Sequence, residues 1–265
     1  MEDILEKLQI VEPHVELITP RIDPEWASRA LLLIEECGRV SHKSEGRIKP
    51  GSAEPFIRKV AIQWGHDSIL EHASFTVCFV GSRSMSHQLV RHRIAAYTQE
   101  SQRFCDYSGD SADCSLKVIV PPTIGHVPAG SSVFLAPSEI DVADEGVVCE
   151  RLVIAPPGKL AEGVNIRSPL GVMLLDAISA YRTYQQLREM GTPAEDARSI
   201  LPNATKTEVY TTFNLREWRH FFKMRMDEHA QWEIKLFAKQ VFEYFQKTIP
   251  VILEDLHSHS GHLLS

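Results

Sequence analysis

Residues 74–79 alternate strictly, with Phe75, Val77 and Phe79 on one side and Ser74, Thr76 and Cys78 on the other. That period of two marks a half-buried strand. The segments around it carry the helical period instead. Strands and helices are mixed along the chain rather than set in βαβ alternation. The expected class is therefore α+β: mixed helices with a small antiparallel-type sheet.

Local signals place the other elements. Asp23-Pro24-Glu25 supplies an N-cap and a first-turn proline, and the helix it opens runs through Leu31, Leu32, Leu33 and Ile34 to close at Gly38. A short helix is expected over 54–65, ending near Gly65. Residues 82–93 read as a helix with Met85, Leu89 and His92 near one stripe. Ser168-Pro169 opens a helix to Gly191, and Thr192-Pro193 opens another that stops at Leu201-Pro202. Residues 207–213 are strand-like. Asn214 with Glu217 three positions on resembles a capping box. A last helix runs from about His229 to Lys247, before Pro250.

Residues 105–168 differ in texture, with many of the Pro and Gly residues and three short β-like runs at 116–120, 133–136 and 152–155. They read as an inserted, partly mobile elaboration carrying a hairpin or two. The expected organisation is one catalytic domain over 1–265 with that elaboration inside it.

Composition limits the function classes. The chain has 265 residues, 43% hydrophobic and 24% charged, and this suits a globular protein with its own core. Its net charge of −7 disfavours a general nucleic-acid coat, which needs clustered Lys and Arg. Five cysteines (Cys37, Cys78, Cys105, Cys114, Cys149) contain no C-x-x-C, so neither a disulfide framework nor a zinc ribbon is indicated. The acidic start lacks the pattern of a signal peptide, and no run approaches the ~20 apolar residues of a membrane span. A cytoplasmic protein without membrane contact is expected. The terminal HSHSGH reads as an exposed tail, with metal binding the alternative.

Three clusters carry chemistry. Arg91, Arg93, Gln99, Ser101, Gln102 and Arg103 lie within thirteen positions, interrupted by a single acid, Glu100. Arginine forks match phosphate oxygens, and Ser and Gln add neutral donors. A nucleotide-like ligand and a solvated helix face both remain open on that evidence. His66, Asp67, Glu71 and His72 form a second cluster, open to metal, cofactor or plain packing, without the spacing that puts two ligands on one helix face. The third runs from Arg198 to Gln231. There Asn214 and Arg216 flank a helix start suited to anions, and Arg225 and His229 are expected to stand four apart on one face, with Asp227 between them.

Arg91-His92-Arg93, seven residues, then Ser101 is an R-H-R-x7-S signature, and the chain resembles the flavin-dependent thymidylate synthases. The likeness extends to His66–His72, to Ala197-Arg198 before Leu201-Pro202, to Asn214-Leu215-Arg216, and to Met224-Arg225-Met226-Asp227 with His229-Ala230-Gln231-Trp232-Glu233. It implies that family's α+β fold, a homotetramer with active sites at subunit interfaces, and reductive methylation of dUMP to dTMP. FAD would carry the reducing equivalents, NADPH would supply them, and methylenetetrahydrofolate would donate the carbon. No resident metal is implied.

By resemblance, Ser68, Arg91, His92, Arg93, Gln99, Asn214, Arg216 and His220 contact FAD. Gln88, Arg91, Gln99, Ser101, Gln102, Arg103 and Arg198 hold dUMP, with Arg225 on its base. His66 and Glu71 border the flavin and folate region. Arg225 and Ser101 are the expected catalytic residues: Arg225 favours loss of the ring proton, and Ser101 serves as a hydrogen-bond donor to substrate rather than a nucleophile. The chain departs from the family pattern at Ala96, often Ser, at Thr98-Gln99, commonly Asn-Glu, and at Phe104, usually Tyr; residues 105–168 are also longer than its compact form. Two rivals come from other classes: a metal-dependent nucleotide phosphohydrolase built on His66-Asp67, and a nucleic-acid module built on the arginine cluster.

Overall fold

The computed structural model describes residues 8–109, 115–137 and 150–258. Its strands, in chain order, are β1 (Leu8–Ile10), β2 (His14–Leu17), β3 (Ser74–Ser82), β4 (Ala95–Gln99), β5 (Lys117–Val118), β6 (Ser132–Pro137), β7 (Glu150–Ala155), β8 (Glu162–Gly163) and β9 (Lys206–Asn214). The helices are α1 (Ile18–Ile22), α2 (Trp26–Arg39), α3 (Ala53–Ile57), α4 (Arg83–Leu89), α5 (Pro169–Glu189), α6 (Ala194–Ala197), α7 (Leu215–Arg225), α8 (Trp232–Thr248) and α9 (Glu254–Ser258). A π-helical stretch, Arg58–Gln63, continues α3, and a 3-10 turn, Arg198–Ile200, continues α6. The class is α+β, with two sheets where a single small one was expected.

The contacts divide the chain into two compact units. One takes in the described residues of Met1–Pro13, Gly81–Ser84 and Glu100–Thr207. The other takes in His14–Val80, Met85–Gln99 and the described residues of Glu208–Ser265. In the second unit the sheet order is β2-β3-β9-β4. β2 pairs antiparallel with β3 (Leu17 opposite Val77), and β4 with β9 (Gln99 opposite Val209). Phe75, Val77 and Phe79 are buried as their alternation predicts. Cys78 and Val80 are buried too, so this half of β3 is covered on both faces. Phe213, Trp218, Phe221, Phe222, Phe237 and Phe245 from β9, α7 and α8 complete an aromatic core. Edge-on contacts such as Trp218–Phe221 at 5.5 Å add to the burial energy. The indole N–H groups of Trp218 and Trp26 donate to the carbonyls of Phe75 and Ser74, so neither is buried unpaired.

In the first unit the sheet order is β5-β1-β6-β7-β8, with β1 and β5 parallel and the other pairs antiparallel. β6 and β7 form the hairpin expected within 105–168. α5 lays Leu174, Ala177, Ile178, Tyr181 and Tyr184 into a core with Leu8, Val118, Val133 and Leu152. Residues 105–168 thus supply a large share of this unit's core; their stretches 110–114 and 138–149 lie outside the described residues.

Several boundaries differ from expectation. The helix expected to open with Asp23 as N-cap begins at Trp26, and no side chain caps it; the Asp23 carbonyl accepts from the Trp26 N–H instead. Gly38 does not stop it. An added Cβ there would stand 2.6 Å from Phe56, so the glycine allows a close approach while the helix runs on to Arg39. The helix expected over 82–93 ends at Leu89, leaving His92 in the turn beyond it. The side chains of the HSHSGH tail lie outside the described residues.

Candidate functional site

Leu89 and Met85 anchor α4 in the core of the second unit, and the chain then turns into β4. The Tyr97 hydroxyl, on β4, holds that turn, standing 2.8 Å from the Leu89 carbonyl and 2.6 Å from that of His92. Burial pushes the Tyr97 hydroxyl pKa well above its ordinary value, so it remains a neutral donor. The turn puts the His92 ring inside, 5% exposed, while Arg91 and Arg93 on either side are exposed.

Both ring nitrogens of His92 are engaged. Nδ1 lies 2.8 Å from Glu217 Oε1, and Nε2 lies 3.0 Å from Arg225 Nε. Burial lowers the pKa of His92, and the neighbouring Arg225 pushes the same way against Glu217. A guanidinium N–H can only donate, so the contact at Nε2 fits a neutral ring that carries its proton on Nδ1. Arg225 closes α7 and also donates from Nη2 to the Gln88 carbonyl at 3.0 Å. Burial and then the Arg91 charge lower its pKa, yet a guanidinium starts so high that it stays a cation. Gln88, Arg91, His92, His220 and Arg225 line one cavity of about 580 Å³.

Two further cavities in this unit hold Ser68, Asn214, Arg216 and His220 of the expected cofactor residues, but not Arg93 or Gln99. Asp67, Glu71, Asn214, Arg216, His220 and Lys223 line one of about 420 Å³; Gly65, His66, Asp67, Ser68, His72 and Arg216 line one of about 620 Å³. Arg216 belongs to both, and His220 joins the first of them to the Arg225 cavity. Asn214 caps α7 by accepting from the Glu217 N–H at 2.8 Å, and the Leu215 N–H goes to the Ala73 carbonyl. The helix start therefore has fewer open N–H groups for an anion than its capping signature promised, and Arg216 is the main positive group there. Arg216 Nη1 lies 2.5 Å from Glu71 Oε1, which raises its pKa and leaves it a firm cation.

Of the remaining expected substrate residues, Ser101, Gln102, Arg103 and Arg198 belong to the first unit and Gln99 to the second. Arg103 Nε bonds Glu195 Oε2 at 2.8 Å, and Arg198 Nε donates to the Glu195 carbonyl at 3.0 Å, so one residue gathers both arginines. Ser101 Oγ accepts from the Arg103 N–H at 3.3 Å, and Gln102 is buried. The Glu100 carboxylate accepts from the Tyr107 hydroxyl and from Lys206, and His92 has no nitrogen to spare. The two residues that could act as a base for Ser101, its neighbour Glu100 and the nearest histidine in sequence, His92, are thus both engaged with other partners. Gln99 ends β4 and Arg93 lies on the exposed turn before it.

Arg225 and His229 do not share a helix face: α7 ends at Arg225, and His229 lies exposed in the turn before α8. Among the described residues, the three-residue group spaced to hold a metal is His92, Glu217 and His220, rather than one built on His66-Asp67. The Arg225 guanidinium on His92 and the Glu217 bond already engage two of its three members, which opposes a cation there. Sequence reasoning missed Glu217, read only as a capping partner, and Glu195, which no motif marked. His92 and Glu217 are 125 positions apart, so no local spacing signals the pair.

A profile of the thymidylate synthase complementing protein family matches residues 25–251. The chain belongs to this family. Among curated members similar to it, the flavin-dependent thymidylate synthase of Pyrococcus furiosus is 35% identical over 223 residues, 84% of this chain and 72% of its own. That of Mycobacteroides abscessus is 33% identical over 255 residues, covering 94% and 89%. A crystal structure of a UMP/dUMP methylase from Streptomyces cacaoi, bound with 5-Br dUMP, matches with a TM-score of 0.64 over 94% of this chain and 97% of that one. At 23% identity it speaks for the fold. No helix among the described residues is long and apolar enough to cross a membrane.

Proposed function

We propose that this chain is a flavin-dependent thymidylate synthase that methylates dUMP at the uracil 5-carbon to give dTMP. Methylenetetrahydrofolate supplies the carbon, NADPH the two electrons, and FAD carries them; tetrahydrofolate and NADP leave. The enzyme is a cytoplasmic homotetramer with active sites at subunit interfaces, and its 265 residues form one catalytic domain with 105–168 as its elaboration. The observation that carries this reading is Arg225 fixed at the wall of a cavity with Gln88 and Arg91, in a chain that matches the family over residues 25–251.

The donors suit the proposed ligands. Arg216 in the first turn of α7 and Lys223 in its last, which line one cavity, fit a diphosphate, while Asn214, Ser68 and His220 offer hydrogen bonds to sugar and ring. Arg91, Arg93 and Gln99 complete the flavin set. His92, with both nitrogens engaged, acts there through its neighbours. His66 and Glu71 border the flavin and folate. FAD, when bound, supplies the redox chemistry that no side chain here can perform.

The residues do the rest. Arg103 and Arg198 grip the phosphate, each charge-assisted bond contributing roughly 1.5–3 kcal/mol. Ser101, Gln102, Gln88, Gln99 and Arg91 orient the nucleotide. Arg225 sets a positive charge beside the pyrimidine and lowers the pKa of its ring N–H. The ionised ring is richer in electrons at the 5-carbon, the atom that receives the one-carbon unit.

The test is dTMP formation by the purified enzyme with dUMP, methylenetetrahydrofolate, NADPH and FAD. The expected result is product that disappears when FAD or folate is withheld and falls at least a hundredfold in Arg225→Ala. Absence of dTMP from the complete mixture contradicts the proposal.

A further inference from the structure

We propose that Glu217 is a positioning residue that, through His92, sets how Arg225 presents its guanidinium to the pyrimidine. The inference rests on the reading of Arg225 given above. Glu217 stands third in its helix, where a capping-box carboxylate would turn back to the N-cap N–H. Instead it is buried, 6% exposed, and reaches His92 Nδ1 at 2.8 Å. A carboxylate can only accept there, so the proton sits on Nδ1. A guanidinium can only donate, so Nε2 must be the acceptor for Arg225 Nε at 3.0 Å. The two contacts demand the same tautomer from opposite ends.

The consequence falls on Arg225. Its Nε is tied to His92 and its Nη2 to the Gln88 carbonyl, two bonds that fix the plane of the fork and leave the Nη1 hydrogens and the second Nη2 hydrogen as its other donors. Without Glu217 the imidazole can move its proton to Nε2. An N–H would then face the Arg225 Nε–H, and the guanidinium would have to turn away. The groups around the relay favour the neutral ring: burial and the Arg225 charge oppose a proton on His92, with His220 adding to them, and Arg91 lies near Arg225. Tyr97 stays un-ionised and holds the His92 carbonyl.

A double-mutant cycle on the FAD-loaded enzyme tests this. Glu217→Ala is expected to lower kcat about tenfold to a hundredfold, with much smaller change in dUMP affinity. Glu217→Gln, which keeps an acceptor for Nδ1–H, should recover part of the loss and serves if the alanine variant does not fold. In an Arg225→Ala background either change should cost almost nothing further. Equal losses in both backgrounds mean that Glu217 acts only on folding, and they overturn the inference. Histidine 15N spectra of the wild type give a readout independent of turnover: His92 should show a protonated Nδ1 and a bare Nε2 at neutral pH. A protonated Nε2 overturns the relay. If Arg225→Ala alone leaves turnover intact, the reading of Arg225 fails, whatever the tautomer.

Discussion

Arg103 is held by Glu195, Nε to Oε2 at 2.8 Å, and the backbone carbonyl of the same glutamate takes the Nε of Arg198. A carboxylate thus occupies the fork proposed to grip the nucleotide phosphate. The pair is half exposed, so its own contribution is small, on the order of 0.2–1 kcal/mol. A bound dianion must displace it. Glu195→Gln is therefore expected to tighten dUMP binding by about two- to fivefold, and to leave the uncharged nucleoside deoxyuridine unaffected. Calorimetry with both ligands checks this; weaker dUMP binding in the variant would mean that Glu195 steadies Arg103 instead of competing for it.

Removing the arginines themselves acts in the opposite direction. Arg103→Ala and Arg198→Ala should each weaken dUMP by more than tenfold, or at least about 1.4 kcal/mol. Unchanged affinity in both variants, measured by calorimetry, defeats the assignment of the phosphate site.

Arg216 is the proposed cationic contact to FAD, and Glu71 is its partner at 2.5 Å. Arg216→Ala should weaken FAD by about tenfold or more, as expected for a lost charge-assisted contact. Quenching of flavin fluorescence on titration reads this. Equal affinity for FAD in wild type and variant removes Arg216 from the cofactor site.

Acid should loosen the segment that follows Arg103. Asp106 accepts from Arg188 Nη2 at 2.6 Å and Nε at 3.1 Å, from the Tyr184 hydroxyl, and from Ser108. The Arg188 bond, outweighing some desolvation, holds the carboxyl well below the usual carboxylate range. A depressed pKa gives stability that is fully present above the unfolded value of about 3.9 and is lost as the pH falls toward the folded value. Asp106→Asn should melt below wild type at pH 7, with the gap closing in the acid range below about pH 4. A gap that stays constant across that range contradicts the linkage.

Much of the fold was legible because its signals are local. Ser168 caps α5 by accepting from the Gly171 N–H, and Asn214 caps α7, both as their spacing indicated. The alternation at 74–79 gave β3, and 207–213 falls within β9. Other features carry no local mark. β1 has three residues, too few for a period, yet it pairs with both β5 and β6. Gly38 was misread because a glycine that permits close packing looks like one that ends a helix. The arginines of the candidate site announced themselves by type and clustering. Glu217 and Glu195 did not: the first serves His92 from 125 positions away, and the second reaches Arg103 from 92.

The central claim is that this chain is a flavoenzyme acting on dUMP. The most direct measurement is the visible absorption spectrum of the purified protein with added FAD, then under anaerobic conditions with NADPH and dUMP. A bound-flavin spectrum that bleaches on reduction is the predicted result. A colourless protein that leaves the spectrum of added FAD unchanged would contradict the account.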